Sequence, residues 1–146
     1  MTSIENRKAY FNYFIEDEYI AGICLQGSEV KSIAKGNVAM GDCFCQFDDN
    51  GELWLKNVHI APWDNAGKNN HEPMRDRKLL LNKKELNKIS ILLERSGYSA
   101  IPLKIITKNK KFKCVIGIGK GKKLYDKKNT IKAKDIERET QRELKG

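Results

Sequence analysis

The sequence predicts a mainly β protein, a small antiparallel barrel with two to three flanking helices and a basic C-terminal tail. Three observations carry that expectation. Short runs rich in aromatic and β-branched residues recur as far as Gly121, parted by glycine and asparagine turns. One longer segment shows helical spacing behind a capping motif. After Gly121 the apolar residues thin out and lysines take their place. The chain has 146 residues, enough for one domain with a real core.

Taken in order, Tyr10 to Ile15 and Tyr19 to Leu25 read as strands that meet at the acidic patch Glu16-Asp17-Glu18. Gly27 and Ser28 open a short helix, Glu29 to Lys35, with Ser28 as N-cap and Gly36 as the stop. Val38 to Phe47 alternates as a strand, and Asp48-Asp49-Asn50-Gly51 turns it into a partner, Glu52 to Ile60. That partner places Leu53, Leu55 and Asn57 on one face. From Ala61 to Arg77 the composition of Pro, Asn, Gly and His predicts a long loop, a segment type often tied to function. Asn82 and Glu85 form a capping box ahead of a helix bearing Leu86, Ile89, Leu92 and Leu93, which ends at Ser96-Gly97. Strands at Leu103 to Thr107 and Phe112 to Ile118 follow. Many short strands with glycine turns and one substantial helix point to a partly open barrel of the oligonucleotide-binding type. The expected division is 1–121 for the barrel and 122–146 for a tail that is disordered when free and helical on a partner. In the tail, Asp135/Arg138 and Glu139/Arg142 support a helix weakly, and the apolar residues are too few to hold it to a core.

Charge is distributed unevenly. Residues 1–73 carry six Lys/Arg against eleven Asp/Glu, and residues 74–146 carry 22 against eight, a balance of −5 and then +14. Between Lys104 and Lys134 there are twelve lysines and one acid, Asp126. A one-signed half of a small protein concentrates polyanions, whereas an ordinary solvated surface mixes its signs. Nucleic acid is the expected partner. The N-terminus lacks a basic segment leading into an apolar stretch, and no apolar run approaches the roughly 18 residues of a membrane span. The expected setting is cytoplasmic, without membrane contact. Cys24, Cys43, Cys45 and Cys114 fall in strand-like runs and read as reduced, buried core residues.

Spacing decides between readings of the remaining motifs. Gly117-Ile-Gly-Lys-Gly-Lys-Lys123 lacks a glycine at 116 and has Lys123 where a phosphate loop needs Ser or Thr, so it is no nucleotide-triphosphate site. Its glycines instead suggest a strand end that lies close to a phosphate backbone. Cys43-x-Cys45 has no second pair or suitably spaced histidine, so neither metal nor cofactor is expected. His59 falls in a strand, and His71 reads as a solvated loop residue. No nucleophile, base or paired carboxylates assemble, so the chain reads as a binding protein and not an enzyme. Arg75, Arg77 and Lys78 form a basic cluster ahead of the capped helix, where anions are favoured.

Several blocks recur in a recognisable order. They include Asn6-Arg-Lys-Ala9, Tyr13-Phe-Ile-Glu16, Leu25-Gln-Gly-Ser-Glu-Val-Lys-Ser32 and Ile60-Ala-Pro62. Further on come Asn70-His-Glu-Pro73, Arg75-Asp-Arg-Lys-Leu-Leu-Leu81, Gly119-Lys-Gly-Lys-Lys123 and Tyr125-Asp-Lys-Lys128. From about Asn6 to Leu144 the chain resembles the SsrA-binding protein family, also called small protein B. The resemblance implies an oligonucleotide-binding barrel that binds the tRNA-like domain of transfer-messenger RNA. It also implies delivery of that RNA to stalled ribosomes, where the C-terminal tail enters the decoding centre and the empty messenger channel so that tagging can begin. DNA is not an expected partner, and the free protein is expected to be a monomer.

Carried over by position, Asn6, Lys8, Phe11, Leu80 and Lys113 fall where family members contact the tRNA-like domain, with Arg75, Arg77 and Lys78 beside them. Lys120, Lys122, Lys123, Tyr125, Asp126, Lys127, Lys128 and Ile136 fall in the stretch that reaches the decoding centre. There are departures from the family pattern. Ile20 stands where Glu is usual, Phe11 for His, Ala34 for Arg, Lys128 for Arg and Ile136 for Trp. The first removes an acidic RNA contact, and Phe11 can stack but cannot hydrogen-bond as His would.

Overall fold

The computed structural model describes residues 4–122. The expected tail residues Lys123, Tyr125, Asp126, Lys127, Lys128 and Ile136 lie outside that range. The elements run β1 (Ile4–Glu5), α1 (Arg7–Asn12), β2 (Tyr13–Ile23), α2 (Gly27–Ala34), β3 (Val38–Ala39), β4 (Phe44–Phe47), β5 (Leu53–Lys56) and β6 (His59–Ile60). They continue through a 3-10 turn (Gly67–Asn69) to β7 (Arg77–Leu80), α3 (Lys83–Leu93), β8 (Tyr98–Lys108) and β9 (Lys111–Gly121). Seven strands pair antiparallel in the order β1-β8-β9-β2-β7-β5-β4, and β3 pairs with β6 separately. The far strand β4 packs back against β8 without ladder bonds, so the sheet curls into an oligonucleotide-binding-type barrel with an open seam.

The expected mainly β architecture and its helices are present, with local corrections. Tyr10 to Asn12 are helical, because the Asn6 side chain accepts from the Ala9 N–H (3.4 Å) and starts a helix there. Tyr13 to Ile23 is one continuous strand with a bulge between Ile15 and Asp17, so the acidic patch interrupts the pairing without turning the chain. The helix near Ser28 begins at Gly27, and the Gln26 N–H donates to Glu29 Oε1 (2.8 Å), which leaves Ser28 inside it. The strand expected over Val38 to Phe47 splits at Met40–Cys43, and Asn57 with φ of 61° breaks the one after it. The Asn82–Glu85 capping box forms as expected, and α3 closes at Leu93, ahead of Gly97 with φ of 82°.

Two apolar clusters flank the sheet. The main core, with Ile33, Leu53, Leu55, Leu79, Ile89, Ile105 and Ile116 at its centre, lies inside the curl under α2 and α3. A smaller one, Ala9 on Ile101, Leu103 and Val115, seats α1 on the outer face. Three of the four cysteines are buried as expected, but Cys24 is exposed because it lies just beyond the end of β2. Burial pushes the Cys43 thiol up to about 12 and raises Cys45 and Cys114 as well, so these sulfurs stay neutral and act as packing groups.

The glycines of β9 have a packing role that the sequence reading missed. A Cβ at Gly117 would meet the Leu103 side chain at 2.7 Å, and one at Gly119 would overlap the Phe14 carbonyl. Neighbouring strands press on both positions, which is reason enough for glycine there.

Candidate nucleic-acid interface

Beyond the area that α1 covers, the outer face of the sheet is exposed. Gly22 on β2 pairs with Leu80 on β7 and with Lys113 on β9, which puts the three side by side across the sheet. The missing side chain matters: a Cβ on Gly22 would lie 3.2 Å from Leu80 Cβ and 3.6 Å from Lys113 Nζ. The glycine therefore floors a groove of about 350 Å³ whose walls include Leu25, Val30 and Leu80. Its rim is Lys110, Lys111 and Lys113. Asn109 and Lys110 take left-handed φ values of 53° and 63°, the tight turn that projects the β8–β9 tip. Leu80 is 52% exposed and Ile20, on the same face of β2, is 46% exposed. Large apolar side chains left in water beside lysines are suited to a ligand with both flat apolar rings and phosphates.

The expected site residues do not all lie on this face. Leu80 and Lys113 meet in the groove, and Lys78 lies one alternation from Leu80 on the same strand, 3.5 Å from Glu52. Lys8 and Phe11 stand exposed on α1, with Lys8 Nζ 3.6 Å from Asp42. Lys120 is exposed near the end of β9. The Lys122 N–H donates to Asn12 O (2.8 Å) and its Nζ to Tyr10 O (3.3 Å), and Nζ lies 4.9 Å from the Phe14 ring centroid. The chain thus leaves the barrel against the C-terminal end of α1, where carbonyls favour a cation.

Asn6 and Arg77, unlike these, are buried. Asn6 is buried, donating to Pro102 O (2.9 Å) and to Cys43 Sγ (3.2 Å) while it caps α1. Arg77 is fully buried: it donates from Nε to Glu29 Oε2 and from Nη1 to Val58 O, both at 2.6 Å, and from Nη2 to Pro73 O at 3.1 Å. Arg75 shares the same carboxylate at 2.6 Å and donates to Cys24 O. Burial pushes the Glu29 carboxyl up, but bonds from Arg75, the Gln26 N–H and Arg77 outweigh it and hold the group below the usual range. These groups form an internal ion cluster that joins α2 to β7, and β7 separates them from the N-terminus of α3. His71 is likewise buried, between Ser28 Oγ and Ile60 O at 2.8 Å each, and is not a solvated residue.

Sequence reasoning overlooked Gly22, Leu25, Val30, Lys110 and Lys111. The lysines were visible in the charge run, but nothing local placed them at the same groove as residues of β2 and α2. Among the described residues no three His, Cys, Asp or Glu side chains gather as a metal site, and no helix is long and apolar enough to cross a membrane.

An open oligonucleotide-binding-type barrel with a lysine-rimmed apolar groove places the chain in a class, the small β-barrel proteins. The comparisons narrow it. The SmpB protein family matches residues 3–146. The SsrA-binding protein of Bacillus velezensis is 49% identical over 94% of this chain and 88% of its own. Those of Dehalococcoides mccartyi and Bacillus subtilis are each 46% identical, over 99% and 94% of this chain and 84% and 88% of theirs. A solved structure described as "tmRNA-SmpB: a journey to the center of the bacterial ribosome" aligns with a TM-score of 0.70 and 41% identity, covering 84% of this chain and 85% of that one. The chain belongs to the SmpB family.

Proposed function

We propose that this chain binds the tRNA-like domain of transfer-messenger RNA and enables trans-translation, the rescue and peptide tagging that release stalled ribosomes. The observation that carries the reading is the groove over Gly22, where exposed Leu80 adjoins Lys113 under a rim of further lysines. Lysines neutralise the backbone while the apolar floor takes an unstacked base or sugar edge, a combination suited to folded RNA with open loops. Lys8 and Phe11 extend the surface along α1. In place of the usual acidic contact, Ile20 adds apolar area, so binding leans more on packing and less on hydrogen bonds.

The tail serves the ribosome. Lys120 at the end of the barrel and Lys122, Lys123, Tyr125, Asp126, Lys127, Lys128 and Ile136 beyond it act in the decoding centre, in keeping with the motif blocks shared with the family, and the barrel at 1–121 folds and binds RNA without the segment that follows it. The chain works in the cytoplasm by docking, with no catalytic step and no cofactor. The partners are transfer-messenger RNA and the ribosome. Recovering and sequencing the RNA bound to the protein in cells tests this. Dominance by one tRNA-like species is expected, and a broad spread of ribosomal RNA without it would overturn the reading.

A further inference from the structure

The segment between β6 and β7 is long, yet it is held with unusual care. Of the six buried polar or charged residues among those described, five (Ser28, Glu29, Ser32, His71 and Arg77) tie α2 to this loop or to the strands at its ends. Ser32 Oγ donates to Ala61 O at 2.6 Å. His71 Nε2 faces the Ile60 carbonyl, which can only accept, so Nε2 donates there, and Nδ1 shares a hydrogen bond with the Ser28 hydroxyl. Inside these ties, the Trp63 N–H donates to Asn70 Oδ1 (2.9 Å) and Asn70 Nδ2 donates back to Trp63 O (2.8 Å). The backbone of Trp63 is clamped on both sides.

What the clamp presents is a half-buried indole beside a groove of about 460 Å³ between the loop and α2. Lys31 Nζ lies 5.8 Å from the ring centroid. Exposed Asn65 and Asn69 also line it, with Gln26 on the helix side. An aromatic face, a cation and side chains that both donate and accept are the parts with which proteins hold an unpaired base. Helix α2 borders both grooves, with Val30 lining the one over Gly22 and Lys31 lining this one.

We infer that this groove is a second RNA subsite, in which an unpaired nucleotide of the RNA held at Leu80 and Lys113 stacks on Trp63. Lys31 serves its phosphate and Asn65 and Asn69 its base edge. The inference rests on the function proposed above. The test uses the full-length chain with Trp54→Phe, which leaves Trp63 as the sole tryptophan. Titration with a transcript of the tRNA-like domain is expected to quench the emission of Trp63. Trp63→Ala is expected to weaken binding about 5- to 150-fold, the range typical of a lost base–aromatic stack, while Trp63→Phe retains most of the affinity. Unchanged emission at saturation, with equal affinity for Trp63→Ala, would overturn the subsite. Quenching by a ribosomal decoding-region fragment, but not by the tRNA-like transcript, would overturn the choice of occupant. If Leu80→Ala and Lys113→Ala weaken binding while Trp63 stays silent, only the subsite fails. If those variants too bind unchanged, the function proposed above is what fails.

Discussion

Glu29 and Arg77 show what a single pair of residues can conceal. Both are fully buried, and each satisfies the other's charge while Arg75 and backbone carbonyls take the remaining bonds. Removing one partner leaves a buried charge without compensation. Arg77→Met is therefore expected to destabilise the fold by about 3–5 kcal/mol, read from the shift in urea midpoint. The slope of RNA affinity against salt is expected to stay as it was, since the guanidinium of Arg77 is buried and already paired with Glu29. A reduced slope would restore Arg77 to the RNA surface. In the sequence this residue was indistinguishable from its exposed neighbours, because its partner lies 48 positions upstream. The burial of His71 is hidden for the same reason, its hydroxyl partner being 43 positions away. Residue type and spacing report local chemistry, and these pairings are made by the barrel.

At the scale of elements, the capped segments were the most legible. Asn82 and Glu85 form the expected box, and the Asp48–Gly51 turn forms with Gly51 at φ of 78°. Both signals are complete within four residues. The first strand was misread because aromatics at Tyr10 and Phe11 suggest pleated packing, whereas both side chains are exposed on a short helix. The β9 glycines separate two kinds of crowding. At Gly119 an added methyl overlaps the backbone of Phe14, and at Gly117 it meets only side-chain atoms, those of buried Leu103. Gly119→Ala is expected to cost about 1–3 kcal/mol in thermal or chemical unfolding, and Gly117→Ala less. The reverse order would show that the bulge yields more easily than the core.

At the scale of the whole molecule, the charge imbalance and the strand pattern together led to a basic β barrel before any contact was visible. What remained hidden was where the basic residues converge. The groove draws Gly22 and Val30 from the acidic first half and Leu80 and Lys113 from the basic second half, so neither half reveals it alone. The proposed division of labour predicts that a chain ending at Gly121 keeps most of its affinity for the tRNA-like domain and fails to add the tag on stalled ribosomes. Tagging by the shortened chain would contradict that division.

The central claim is that RNA sits on the outer face of the sheet, held by lysine charge and by exposed apolar area. Measuring the affinity of the full chain for the tRNA-like transcript across a salt series tests it most directly. Lys113→Ala is expected to weaken binding and to lower the slope of log affinity against log salt by about 0.7–0.9, one phosphate's worth. Leu80→Ala is expected to weaken binding at every salt concentration and leave the slope unchanged. Two variants that bind like the parent, with the parent's slope, would place the RNA elsewhere and contradict the account.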